Sequence, residues 1–175
     1  MCIRDSTWHR ARQSAAATPV APSSGVTAWV LTAVTAVLVV LGTVVTGAGQ
    51  HSGDSAQVHR NGVDWTVIAS VHGATAILTI LLAVVLLVQL RRQGAALAAR
   101  RVGVLLVVLA SQAVVGIVQA VTGVPGGLVV VHLLGAALVW VGVLRVLLDT
   151  HPALFGRVVP VRDVTALDRP AAAVR

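Results

Sequence analysis

Lysine and glutamate are both missing from this 175-residue chain, tyrosine is missing as well, and Cys2, Met1 and Phe155 are each the sole example of their type. A single cysteine excludes an internal disulfide framework and a cysteine metal site. Charged residues make up 11% of the chain and hydrophobic ones 57%. An average soluble domain carries about 25% charge, so a soluble globular domain is excluded, and the apolar content excludes disorder. The charge that remains is thirteen Arg and six Asp, a formal net +7. In a soluble protein a pI near 11.8 would point to nucleic acid, but here the Arg residues flank apolar runs and form no patch interleaved with aromatics. Positive charge therefore reads as the topology signal of membrane helices, and no nucleic-acid partner is expected.

Charge is absent from residues 13 to 53, 65 to 90 and 102 to 144. A bilayer is crossed by a helix of about 20 apolar residues, and these gaps hold four such runs, at 26 to 46, 65 to 90, 102 to 122 and 128 to 148. Valine is abundant, yet no run alternates polar with apolar as a membrane barrel requires, so helices are the remaining solution in lipid. The fold class expected is all-α, a polytopic four-helix membrane bundle. The cluster Gly123-Val124-Pro125-Gly126-Gly127 predicts a tight reversal that makes the last two spans antiparallel neighbours. Residues 1 to 25 form a polar N-terminal segment, 26 to 148 the transmembrane unit and 149 to 175 a solvated tail. The opening Met1-Cys2-Ile3-Arg4-Asp5-Ser6 resembles a translated adapter scar, so the true start is expected to be missing.

Twelve of the thirteen Arg residues fall before the first span, between the second and third, or at and beyond the end of the fourth. The positive-inside rule assigns that side to the cytoplasm, with both termini there and the chain a multi-pass membrane protein in contact with lipid. Only Arg60 is expected on the outer side, in the loop from 47 to 64 that also holds His51, His59, Asp54 and Asp64. Asp64 directly precedes the second span and reads as its N-cap.

Six histidines occur. His9, His51, His59 and His151 sit in polar segments and are expected to be solvated. His72 and His132 lie inside the second and fourth spans, where burying an unpaired ionisable group is expensive, so each is a functional-site candidate, the bland alternative being a hydrogen-bonded structural histidine. Both helices start from the outer side, placing the rings roughly 10 and 6 Å below the outer span ends at about 1.5 Å per residue. Small residues follow each on the same helical face, Thr75 and Ala76 after His72, Gly135 and Ala136 after His132. A flat macrocycle fits such a low-relief surface. Two imidazoles on facing helices, with no carboxylate or thiolate beside them, suit the two axial positions of a haem iron, whereas zinc calls for four ligands. Gln112, Gly116 and Gln119 form one stripe on the third span, and Thr32, Thr35, Thr43 and Thr46 fall near one face of the first. A cofactor contact through Gln119 or Gln112 and plain interhelical packing are both open readings of these stripes. With the histidines near the outer ends, Arg60 is the candidate partner for haem propionates, the alternative being a solvated loop arginine.

The strings Thr46-Gly47-Ala48-Gly49-Gln50-His51-Ser52-Gly53-Asp54, Arg60, His72-Gly73, Gln119-Ala120-Val121-Thr122-Gly123-Val124-Pro125 and Val131 to Trp140, spread over residues 26 to about 148, resemble the C-terminal half of bacterial haem A synthase. That family oxidises a ring methyl of haem O to the formyl group of haem A for terminal oxidases, using two similar four-helix halves, each with a histidine pair. The resemblance implies that His72 and His132 hold a resident haem b. It departs at Gln50, where the family usually has proline, and at Ala120, where it usually has an aromatic. The glutamate proposed as the family's catalytic carboxylate belongs to the N-terminal half, as do the paired external cysteines often found there, and this chain has no Glu at all. The resemblance thus implies the haem b half of an oxidoreductase, with no catalytic residue in this chain and a partner in the missing N-terminal half or in a second copy of itself. A cytochrome b-type membrane electron carrier without a substrate is the alternative.

Overall fold

The structure is a computed structural model that describes residues 20–49 and 62–151. Four helices follow one another: α1 (Pro22–Ala48), α2 (Trp65–Arg92), α3 (Ala96–Val121) and α4 (Gly126–Thr150). At 25 to 28 residues each is long and apolar enough to cross a membrane, and no strand occurs among the described residues. Each helix touches two neighbours, α1 and α3 both lying between α2 and α4, so the bundle is a closed ring with α1 opposite α3 and α2 opposite α4.

The helix ends follow local chemistry. Pro22 opens α1 in its first turn, where the missing N–H costs nothing. The Asp64 carboxylate accepts the Val67 backbone N–H at 2.9 Å, the N-cap that the sequence predicts. Between α2 and α3 the chain turns through Gly94 at φ 70°, where the Ala95 N–H reaches the Leu90 carbonyl at 3.0 Å. The reversal between α3 and α4 occupies 122 to 125 and sets Gly123 at φ 75° and Val124 at φ 58°. A β-branched residue in the left-handed region is a strained one.

The bundle has two halves of different character. Toward the end carrying the α2–α3 turn it is solid, with Leu31, Leu86, Leu90, Val102, Val143 and Val146 fully buried. In lipid no hydrophobic gain drives helices together, so close packing must hold them, and buried Ala28, Ala83, Ala98 and Ala99 permit it. Polar ties finish this end. The Gln93 amide accepts the Ala21 N–H at 3.0 Å and donates to Ser24 Oγ at 2.8 Å. Arg101 pairs with Asp149. All the described arginines, Arg91, Arg92, Arg100, Arg101 and Arg145, lie at or near this end and are exposed.

The helices outrun the predicted spans. α3 begins at Ala96 rather than 102 because Arg100 and Arg101 leave the apolar zone without breaking the helix, and α1 begins at Pro22 rather than 26. His151 is corrected too: it is half-buried rather than solvated, edge-on to Trp29 with ring centres 5.8 Å apart, over Gly25 of α1.

Candidate functional site

The other half of the bundle is hollow. A cavity of about 490 Å³ is lined by all four helices, from Leu38 and Val139 at its floor to Gly49, Trp65 and Val124 at its rim. Its walls are mostly Gly, Ala, Val and Leu, with His72 and His132 among them. This size is in the range of pockets that enclose organic ligands, about 300–1,000 Å³.

The two histidines come from opposite helices of the ring. His72 is seven residues into α2 and His132 six residues into α4, since α4 starts at Gly126, two residues earlier than predicted. At about 1.5 Å per residue their depths differ by one residue's rise, closer than the sequence estimate. The ring centres are 6.4 Å apart with 69° between planes. Each ring rests where a neighbouring helix has a glycine. A Cβ on Gly42 of α1 would stand 3.2 Å from His72 Cε1, and one on Gly116 of α3 would stand 3.7 Å from His132 Cε1.

Nδ1 of both rings is buried without a hydrogen-bond partner. The Leu38 backbone carbonyl faces the His72 ring, short of hydrogen-bond geometry with Nδ1. A neutral imidazole has one donor and one acceptor nitrogen, and a buried polar atom left unpaired costs about 1–3 kcal/mol. Metal–imidazole bonds are about 2 Å long and the nitrogen lies roughly 1 Å from its ring centre, so two rings on opposite sides of one metal ion have centres about 6 Å apart. The observed separation matches. No third His, Cys, Asp or Glu joins the pair among the described residues, so the described donor set is two imidazoles.

Comparison with protein-family models, with curated proteins and with solved structures returns no match to this chain. The functional reading therefore rests on the residues themselves.

Gln112, Gly116 and Gln119 all line the cavity. Gln112 is the more constrained of the two amides: its Oε1 is buried without a partner, and its amide occupies the space a side chain at Gly135 would need. The threonine stripe of α1 divides. Thr32 and Thr35 are buried in the solid half, and Thr43 and Thr46 both line the cavity, Thr43 at its exposed edge. Each hydroxyl donates to its own helix, Thr35 to Leu31 O at 2.7 Å and Thr46 to Gly42 O at 3.1 Å, so each could meet a ligand only as an acceptor. Arg60, His51 and His59 lie outside the described residues. Sequence reasoning missed Gly42. Its signal was present, since Thr35, Gly42 and Gly49 recur every seven residues and so share a face.

Proposed function

We propose that the chain binds one low-spin haem b in this cavity, with iron between His72 and His132, and that it is the haem b half of a haem A synthase. The observation that carries the haem reading is the histidine pair, 6.4 Å between ring centres, inside an apolar cavity. When bound, the haem would supply a one-electron ferric/ferrous couple. His72 and His132 hold it from opposite helices. Gly42, Gly73, Gly116 and Ala136 keep the walls low enough for a flat ligand. Leu38, Leu109 and Val139 close the floor and exclude water from the side of the solid core. Gln119, near the rim, is the polar group for a ring substituent, and Arg60 is the candidate partner of the propionates.

Among the described residues no acidic side chain lines the cavity, and the chain has no Glu, so it is assigned no catalytic acid, base or nucleophile. Oxidation of haem O then belongs to the N-terminal half of the enzyme, or to a second copy of this chain, with the present helices passing electrons. A lining without carboxylates among the described residues also supports a second reading, a membrane electron carrier with no substrate. The proposed location is a bacterial plasma membrane with both termini cytoplasmic.

The haem reading is tested on the purified chain by its reduced-minus-oxidised spectrum. A bis-imidazole signal is expected, and retention of the full signal in both His72→Ala and His132→Ala would overturn the ligand assignment. Co-expression with a source of haem O separates the enzyme from the carrier. Haem A formed by this chain alone would refute the view that the catalytic half is missing and leave the self-associating copy, and an in-frame upstream half with a glutamate near its membrane histidine would sink the carrier reading.

A further inference from the structure

We propose that Gln112 is the positioning residue of His132, its Oε1 accepting the Nδ1–H of the ring. The inference rests on the haem reading, because a metal bond at Nε2 is what fixes the proton on Nδ1.

Two buried orphans on adjacent helices of one cavity are chemically complementary. His132 Nδ1 is a donor in that tautomer and Gln112 Oε1 is an acceptor, and neither has a partner. Their placement brackets a meeting point. Gly116, one turn beyond Gln112 on α3, lies against His132, while the Gln112 amide lies over Gly135, one turn beyond His132 on α4. The two residues are thus neighbours across the α3–α4 contact. The terminal torsion of glutamine is soft, so turning Oε1 toward the ring needs no helix movement.

The other histidine shows the same arrangement with a different acceptor. On α1 the glycine against His72 is Gly42, and the residue four positions before it, Leu38, turns its backbone carbonyl toward the ring. On α3 the glycine against His132 is Gly116, and the residue four positions before it is Gln112. The α1–α2 and α3–α4 pairs therefore repeat one design: a glycine makes room for the ring, and a group one turn deeper offers an oxygen. Metal-bound histidines regularly donate their second N–H to such an oxygen, which fixes the ring and raises its basicity. A more basic ligand favours the ferric state.

The test uses the full chain, purified in detergent and loaded with haem b, compared with Gln112→Leu, Gln112→Glu and Gln89→Leu. Gln89 carries another buried, unpartnered Oε1 but stands outside the cavity, so its variant controls for loss of a buried amide as such. At saturating haem, Gln112→Leu is expected to keep the low-spin spectrum while haem affinity falls about 10–100-fold. Its ferric-to-ferrous ratio at fixed potential is expected to fall roughly tenfold, which is about 59 mV for a one-electron couple. Gln112→Glu, with a stronger acceptor, is expected to shift the ratio the other way, and Gln89→Leu to leave it unchanged. Gln112→Met, which keeps the side chain's length, replaces the leucine variant if that one does not fold. A Gln112→Leu or Gln112→Met protein with parental affinity and potential overturns this inference alone, as do Leu and Glu variants that shift in the same direction. A parent chain that takes up no haem overturns the site reading and this inference with it.

Discussion

Gly42 and His72 share one volume: the ring of His72 lies so close to α1 that a Cβ at position 42 would stand 3.2 Å from Cε1 and 3.7 Å from Nδ1. Alanine there obliges the ring to give way by a few tenths of an ångström, and leucine places a branched side chain in the cavity itself. Gly42→Leu is therefore expected to abolish most of the bis-imidazole haem signal while the helical circular dichroism stays. Gly116→Ala, whose Cβ would make an ordinary 3.7 Å contact with His132, is expected to keep it. Equal haem content in the two variants would mean that the glycines do not shape the site.

Gly135 presents the tighter case, because a Cβ there would overlap the Gln112 amide. The amide is the far end of a flexible side chain, so it can move, but only by disturbing a packed interface. Overpacking of this kind costs about 1–3 kcal/mol, and Gly135→Ala is expected to lose that much in detergent-titrated unfolding. Removing the clash with Gln112→Ala in the same chain is expected to make the double variant more stable than the sum of the single effects, since touching residues do not act additively. Additive losses would show that the two side chains do not compete.

Much of the architecture was legible from the spacing of charge. Arginine at one set of ends and long charge-free runs between them define four spans, because lipid penalises charge more sharply than any local preference shapes a helix. The helix ends were less legible for the same reason: Ala96 to Arg101 leave the apolar zone but remain good helix formers, so α3 does not stop where the apolar run stops. His72 and His132 announced themselves as ionisable groups at depth. Gly42 did not, because a glycine in a valine-rich run looks like any other small residue until the partner helix is placed. His151 was misjudged because its neighbours in sequence are polar, while its neighbours in space, Trp29 and Gly25, belong to the other end of the chain.

At the cavity end, α2 depends on one capping bond. The Asp64 carboxylate accepts the Val67 N–H at 2.9 Å, and no other N-cap residue of the described bundle caps its helix with its own side chain. Asp64→Ala is expected to cost about 1 kcal/mol, and Asp64→Asn much less, since asparagine caps as well as aspartate. Hydrogen exchange at the first turn of α2 reports it directly. Unchanged protection there in the alanine variant would show that tertiary packing alone holds this end.

Topology is open to the most direct measurement. Arg91, Arg92, Arg100, Arg101 and Arg145 gather at or near the end that carries the α2–α3 turn, and arginine is retained on the cytoplasmic side of a membrane. Cys2 is the only native thiol, so Cys2→Ser leaves a background in which a new cysteine reports its own side. Ala96 and Gly127 are exposed at opposite ends of the bundle, and a Cβ at Gly127 meets nothing within 4 Å. In intact cells Gly127→Cys is expected to react with a membrane-impermeant maleimide, and Ala96→Cys only after the membrane is opened. The reverse pattern would place the histidine cavity toward the cytoplasm.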